Sequence, residues 1–148
     1  MAKAEGKKFK FQSPKMIQTN VLETFQYDNP NLYITSTSEE FGAVCPFSGL
    51  PDLAKVCIEY YPASGKCIEL KSLKYYLTSF RNVGLYQEGV TKRIFEDLRK
   101  VLGLSYQNLR VTTKYYPRGG FTTVCSLGDI YDAGGNLISL PYKPGEAW

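Results

Sequence analysis

The chain has 148 residues, of which 43 % are hydrophobic and 22 % charged, and its formal net charge is +4. That balance fits one globular domain with a buried core and excludes both a charge-dominated disordered chain and a membrane-spanning helix, which needs about 20 apolar residues in a row. The chain has no histidine, so Ser-His-Asp, Cys-His and His-metal chemistry are all excluded, and any reaction must use Cys, Asp, Glu, Lys, Tyr, backbone groups or a cofactor.

Residues 1–20 are polar and irregular and carry Lys3, Lys7, Lys8, Lys10 and Lys15. They read as a flexible, solvated arm more than as a nucleic-acid-binding one, with residues 21–148 forming a single domain. The N-terminus lacks the apolar core of a secretory signal, and cytoplasmic residence is the expectation. Cys45, Cys57, Cys67 and Cys125 show no CxxC spacing, which argues against a zinc ribbon or redox motif and for free thiols; no metal site is expected.

Asn31–Ser38 is rich in β-formers and predicts a strand. A Gly/Pro-rich turn, GAVCPFSGLPD (Gly42 to Asp52), follows. In AKVCIEYYP, Val56, Ile58 and Tyr60 alternate with Lys55, Cys57 and Glu59, the pattern of a half-buried strand. PASGK then turns the chain into CIEL (Cys67 to Leu70), and the two segments read as a hairpin. Leu73, Tyr76, Leu77 and Phe80 fall at helical spacing, with Ser72 as the expected cap. A second helix is expected from about Glu88 to Leu102, with Val90, Ile94, Leu98, Val101 and Leu102 on one stripe and Gly103 ending it. LRVTTKYYP and FTTVCS read as two strands around a PRGG turn, with Leu109, Val111, Thr113 and Tyr115 sharing a face; the tail from Leu127 is irregular.

The fold class is therefore α+β, an antiparallel ββ-αα-ββ sheet with both helices on one face. The other face and the sheet edges would need partners, which predicts an oligomer.

Cys45 reads either as a small buried hydrophobe or as a nucleophile on a rigid bend. Without histidine, a thiolate there needs backbone N–H groups, a nearby cation or a helix N-terminus. Asp52 reads as a turn residue or, sharing a dry pocket with Cys45, as a carboxyl kept protonated by burial and able to act as general acid. Lys71 and Lys74 read as a solvated helix face or, with Ser72 at a helix N-terminus, as a phosphate site. The glycine spacings of a Rossmann or P-loop site are absent.

Cys45-Pro-x-x-Gly-x-Pro-Asp52, then Glu69-Leu-Lys-Ser-Leu-Lys-Tyr-Tyr76, then SFRNVG with Glu88, then PRGG, together resemble the queuosine-pathway nitrile reductases, the QueF family, over roughly residues 20–125. The resemblance implies a tunnelling fold (T-fold) whose subunits close side by side into a barrel, in stacked, pentamer-based rings. It implies reduction of the nitrile of 7-cyano-7-deazaguanine to 7-aminomethyl-7-deazaguanine with two NADPH, through a Cys45 thioimide and proton donation by Asp52. It places Glu88 and Glu69 on the guanine-like edge of the base, with Tyr86 stacking and Gln87 beside it, and Lys71, Ser72, Lys74 and Arg118 on the cofactor phosphates. Gln87 departs from the family, which commonly has histidine there; an amide hydrogen-bonds but does not exchange protons usefully, and slower turnover or a shifted pH profile is expected. Two other readings stand beside this one. A related archaeosine-forming amidinotransferase would use the same Cys and Asp with ammonia on the nitrile base in tRNA. A non-catalytic binding module of the same fold would have an inert Cys45.

Overall fold

The alternation of apolar residues from 54 to 60 becomes the centre of the protein. A computed structural model describes residues 2–143, 145 and 146. The strands are β1 (Thr24–Gln26), β2 (Ile34–Val44), β3 (Pro51–Tyr60), β4 (Lys66–Ile68), β5 (Leu109–Tyr115) and β6 (Val124–Leu127), and the helices are α1 (Leu70–Thr78) and α2 (Gln87–Leu102). Four strands form an antiparallel sheet in the order β2-β3-β5-β6, and β1 pairs with β4 in a separate two-stranded sheet. The main sheet thus keeps the ββ-αα-ββ order expected from the sequence.

Strand pleating sends alternate side chains to opposite faces. Val56, Ile58 and Tyr60 on β3 share a face with Leu109, Val111 and Tyr115 on β5, and all are buried. Leu73 and Tyr76 of α1 and Val90, Ile94, Leu98 and Leu102 of α2 complete that core. Truncating a fully buried residue such as Ile94 to alanine costs about 2–5 kcal/mol. Gly103 ends α2 in the left-handed region at φ 64°, and the Leu104 N–H donates to the Arg99 carbonyl at 3.0 Å, the close that its position predicts.

Several local expectations are corrected. CIEL does not pair with the preceding strand: β3 already has β2 on one edge and β5 on the other, so a central strand has no edge left, and β4 goes to β1 through Thr24↔Ile68. The PASGK turn itself forms, with Gly65 at φ 81°. The cap of α1 is Glu69, not Ser72: its carboxylate accepts from the Lys71 and Ser72 N–H groups at 2.8 and 2.7 Å. Ser72 is buried one turn in, donating to the Glu69 carbonyl at 2.7 Å and accepting from the Glu23 N–H at 3.0 Å.

The N-terminal arm, expected to be free, is docked from Phe9 onward. Gln12 donates to the Asn82 carbonyl at 2.7 Å and accepts from the Gly84 N–H at 3.0 Å. Ile17 and Leu22 are buried, and Thr19 donates to Asp97 at 3.1 Å in a cluster with Tyr76 and Arg93. Apolar residues between the lysines supply the anchors that a charge count overlooks.

The sheet face away from the helices is not left open either. Glu59 and Arg110 form a buried two-pronged ion pair at 2.7 and 2.9 Å, and Tyr33 donates to the same carboxylate. Arg110 also donates to the carbonyls of Ile138 and Ser139 at 2.7 and 2.9 Å, and Lys114 donates to the Glu146 carbonyl at 3.0 Å. The irregular tail folds back as a strap over this polar face, so every β5 residue is buried. An uncovered face therefore gives no argument for an oligomer. Met1, Pro144, Ala147 and Trp148, at the ends of the arm and the tail, lie outside the described residues.

Candidate active site

Cys45 stands just past the end of β2, in the turn of the β2–β3 hairpin. Its N–H donates to the Leu50 carbonyl at 2.9 Å, and its own carbonyl accepts from the Gly49 N–H at 2.7 Å. Gly49 has φ 72°, and a Cβ there would come within 2.4 Å of the Phe9 carbonyl oxygen, so the arm lies directly against this turn. The turn folds its own amides toward the sulfur. Burial pushes the Cys45 thiol up, but hydrogen bonds from the Ser48 and Phe47 backbone N–H groups, then from the Ser48 hydroxyl, more than offset that, and the net shift is downward despite the nearby Asp52 charge. Of the three routes to a thiolate, the chain uses backbone amides. Cys57, by contrast, is pushed up to about 11, by burial first and then by the Glu59 charge.

Asp52 lies opposite Ala43 in the β2–β3 ladder, and continuing the alternation of β2 brings Cys45 onto the same face. Asp52 is buried, 5 % exposed. It is not alone there: Arg118, at the turn after β5, forms an ion pair with Oδ1. In this structure the partner of Arg118, a candidate for the cofactor phosphates, is the candidate acid.

A third segment joins at the backbone. The Val44 N–H donates to the Val83 carbonyl at 3.0 Å, and the Leu85 N–H donates to the Val44 carbonyl at 3.2 Å. Residues 83–85 therefore run alongside the end of β2 and deliver Tyr86, Gln87 and Glu88 at the start of α2, near the cysteine turn. Tyr86 is the N-cap and is exposed, Gln87 is half-buried and Glu88 is exposed in the first turn. Glu88 lines a shallow cleft of about 340 Å³ with Thr91, Lys92, Cys125 and Ser126.

The cofactor candidates lie elsewhere. Lys71 and Lys74 are exposed on α1, and Lys74 lines a groove of about 560 Å³ between β2, β3 and α1 together with Arg81. Those cations suit a phosphate-bearing ligand. Ser72 does not, because it is buried and both its hydroxyl bonds are internal. The N–H groups at the start of α1 are also taken, by Glu69, whose two carboxylate oxygens are thereby engaged in capping.

Sequence reasoning does not single out Ser48, which lies inside the Gly42–Asp52 turn and whose N–H and hydroxyl donate to the Cys45 sulfur.

The family described as QueF-like protein matches residues 51–130 of this chain. The NADPH-dependent 7-cyano-7-deazaguanine reductases of Thermotoga petrophila and Thermotoga maritima are each 52 % identical to it over 130 residues, covering 88 % of this chain and 93 % of theirs. The enzyme of the same name from Caldicellulosiruptor bescii is 44 % identical over 123 residues, covering 82 % of this chain and 92 % of its own. Among solved structures, the apo form of the archaeosine synthase QueF-Like superposes with a TM-score of 0.53 over 64 % of this chain and 88 % of that one. Its identity of 21 % makes this a likeness of fold alone.

Proposed function

This chain belongs to the QueF family, and from that membership we propose that it is an NADPH-dependent oxidoreductase that reduces the nitrile of 7-cyano-7-deazaguanine to the aminomethyl group of 7-aminomethyl-7-deazaguanine. The observation that carries this reading is the Cys45 turn, with Asp52 on the same face of the sheet, within a chain 52 % identical to such reductases over 88 % of its length.

A nitrile carbon is a weak electrophile, so a thiolate is the nucleophile it needs. The Cys45 sulfur forms a C–S bond to that carbon, one C–N π bond breaks, and its electron pair goes to nitrogen. The nitrogen takes a proton from Asp52, which gives a thioimide and an Asp52 carboxylate. NADPH supplies hydride when bound, and nitrile to amine requires two. Arg118 faces the acid and is paired with it. Glu88 accepts the side-by-side N–H donors of the guanine-like edge in a fork, a charge-assisted arrangement. Glu69, occupied as a helix cap, takes second place for that edge. Tyr86 is exposed and placed to stack on the base, and Gln87 hydrogen-bonds beside it. Lys71 and Lys74 bind cofactor phosphate from the α1 groove, and Ser72 supports them only by fixing the start of the helix.

The same reading includes a T-fold assembly in stacked, pentamer-based rings, cytoplasmic residence and a place in queuosine biosynthesis. The open edges of the main sheet, β2 and β6, support the assembly.

The test follows nicotinamide absorbance with the free nitrile base. Wild type is expected to oxidise two NADPH per base and Cys45→Ala none. Intact mass without NADPH is expected to show one base added at Cys45. No oxidation, together with modification of nitrile-bearing tRNA, would instead establish the amidinotransferase.

A further inference from the structure

We propose that the arm segment Phe9–Gln12 is a positioning element for nitrile addition, a clasp that holds the Cys45 turn in register with the start of α2. This rests on the reading of Cys45 as the nucleophile and of Tyr86, Gln87 and Glu88 as the residues that bind the base.

The site is built from two pieces of chain. One is the turn that carries Cys45, and the other is the segment 82–85 that leads into α2. They meet at Val44, whose N–H donates to the Val83 carbonyl at 3.0 Å and whose carbonyl accepts from the Leu85 N–H at 3.2 Å. Within the turn, the Cys45 N–H donates to the Leu50 carbonyl at 2.9 Å and the Cys45 carbonyl accepts from the Gly49 N–H at 2.7 Å. These bonds make residues 45–50 one body, and a single attachment at Val44 would let that body pivot.

The arm supplies the second attachment. The Gln12 N–H donates to the Asn82 carbonyl at 2.7 Å, and the Gly84 N–H donates to the Gln12 carbonyl at 3.0 Å. Successive backbone groups of an extended segment point to opposite sides, so 82–85 is the middle of three short parallel stretches, with Gln12 on one side and Val44 on the other. The Phe11 ring lies over Gly84, where any Cβ would collide with it; Gly84 has no positive φ, so it is the ring, not backbone strain, that leaves room only for glycine. The Phe9 backbone lies against Gly49, at the far side of the Cys45 turn. Next to it, the Lys8 ammonium sits 5.7 Å from the centre of the Phe47 ring of the same turn.

One continuous segment therefore grips both pieces, and the sulfur-bearing residue lies between the two attachments, Val44 and Gly49. Addition to the nitrile needs the sulfur in line with a carbon that the other piece holds, and a misplacement of about 1 Å can cost on the order of a hundredfold in rate. The amides that donate to the sulfur belong to Phe47 and Ser48, inside the turn. Loosening the clasp thus changes where the thiolate stands and leaves its own reactivity as it is.

The test uses the full chain carrying Phe11→Ala, Gly84→Ala or both. Phe11 is 41 % exposed and lies outside the buried core, so its truncation leaves the core packed. Without NADPH, the Cys45 mass adduct with the nitrile base is followed against base concentration, alongside iodoacetamide labelling of Cys45 and thermal melting. Each single variant is expected to lower the maximal adduct rate about tenfold, with the half-saturating base concentration little changed. Iodoacetamide should label Cys45 at the wild-type rate. The double variant should be no slower than either single one, because both changes break the same contact. A wild-type adduct rate in either single variant would overturn the proposal, as would effects that multiply in the double variant. Adduct formation, labelling and melting temperature falling together would also overturn it, since that marks a role in stability alone. A wild type that forms no adduct would overturn the functional reading and this proposal together, whereas a wild type that forms it no faster than the variants would overturn this proposal alone.

Discussion

Arg118 reaches from the turn after β5 to form an ion pair with Asp52 at the start of β3, tying two sites separated by 66 residues in the chain. The arginine side chain is 43 % exposed while the aspartate side chain is 6 % exposed, so the pair is a partly screened cation on a buried anion. Removing the arginine leaves that anion without its partner. Arg118→Ala is expected to destabilise the protein by about 1–3 kcal/mol, the lower end reflecting solvent screening. Urea unfolding measures it.

The Cys45 thiol titrates below the usual cysteine value because its turn donates hydrogen bonds to the sulfur. A lowered pKa favours the thiolate, so alkylation should reach half its maximal rate at a lower pH than for a free thiol. Ser48→Ala removes the hydroxyl's share and leaves the amides, so the midpoint should move upward but stop short of the free-thiol value. Cys57, pushed up to about 11, should stay unlabelled through the same range. Iodoacetamide rates against pH, read by peptide mass, decide this; an unchanged midpoint in Ser48→Ala would contradict it.

Glu69 caps α1, and its pKa is lowered by the Lys71 and Ser72 amides that it accepts from. A carboxyl whose folded pKa is depressed stabilises the protein above its unfolded pKa and loses that contribution as pH falls through the folded value. Glu69→Gln should therefore melt below wild type near neutral pH, with the gap closing once pH drops below about 4. A gap independent of pH would exclude the charge as its source.

Gln87 occupies the first residue of α2, where an amide hydrogen-bonds but does not exchange protons. Gln87→His is expected to raise kcat severalfold near neutral pH and to add a limb to the pH–rate curve close to the ordinary histidine pKa of about 6.5. An identical profile in the two proteins would show that the proton route bypasses this position.

The tail strap supplies carbonyls to Arg110 and Lys114 over the polar face of the sheet. Deleting residues 138–148 is expected to destabilise the protein by several kcal/mol, since three hydrogen bonds to charged groups are lost, each worth about 1.5–3 kcal/mol, while Arg110 keeps Glu59. Chemical denaturation measures it.

Several features were legible in the residues. The stripe Val90, Ile94, Leu98 and Leu102 with Gly103 behind it fixed α2 and its end. The alternation around Val56 and Ile58 fixed a strand and its inner face. The Cys45 turn announced itself by Pro46, Gly49 and Pro51. Other features were not legible. Ser72 had the composition of a cap, but the helix starts two residues earlier because Glu69 reaches the free amides first. CIEL had the composition of a hairpin return, but the strand before it is central. The Arg118–Asp52 pair was not legible either, because nothing local connects the two residues.

By itself the sequence determined the order of elements, the inner face of the sheet, the candidate nucleophile and the family, because periodicity, caps, turns and short motifs depend on residues within a few positions of one another. Only the tertiary structure decided the partner of β4, the docking of the arm against Gly49, the strap over Arg110 and the Arg118–Asp52 pair. Those depend on which strand edge is free and which charge is buried, and both are set by segments brought together across the fold and carry no mark in the local pattern.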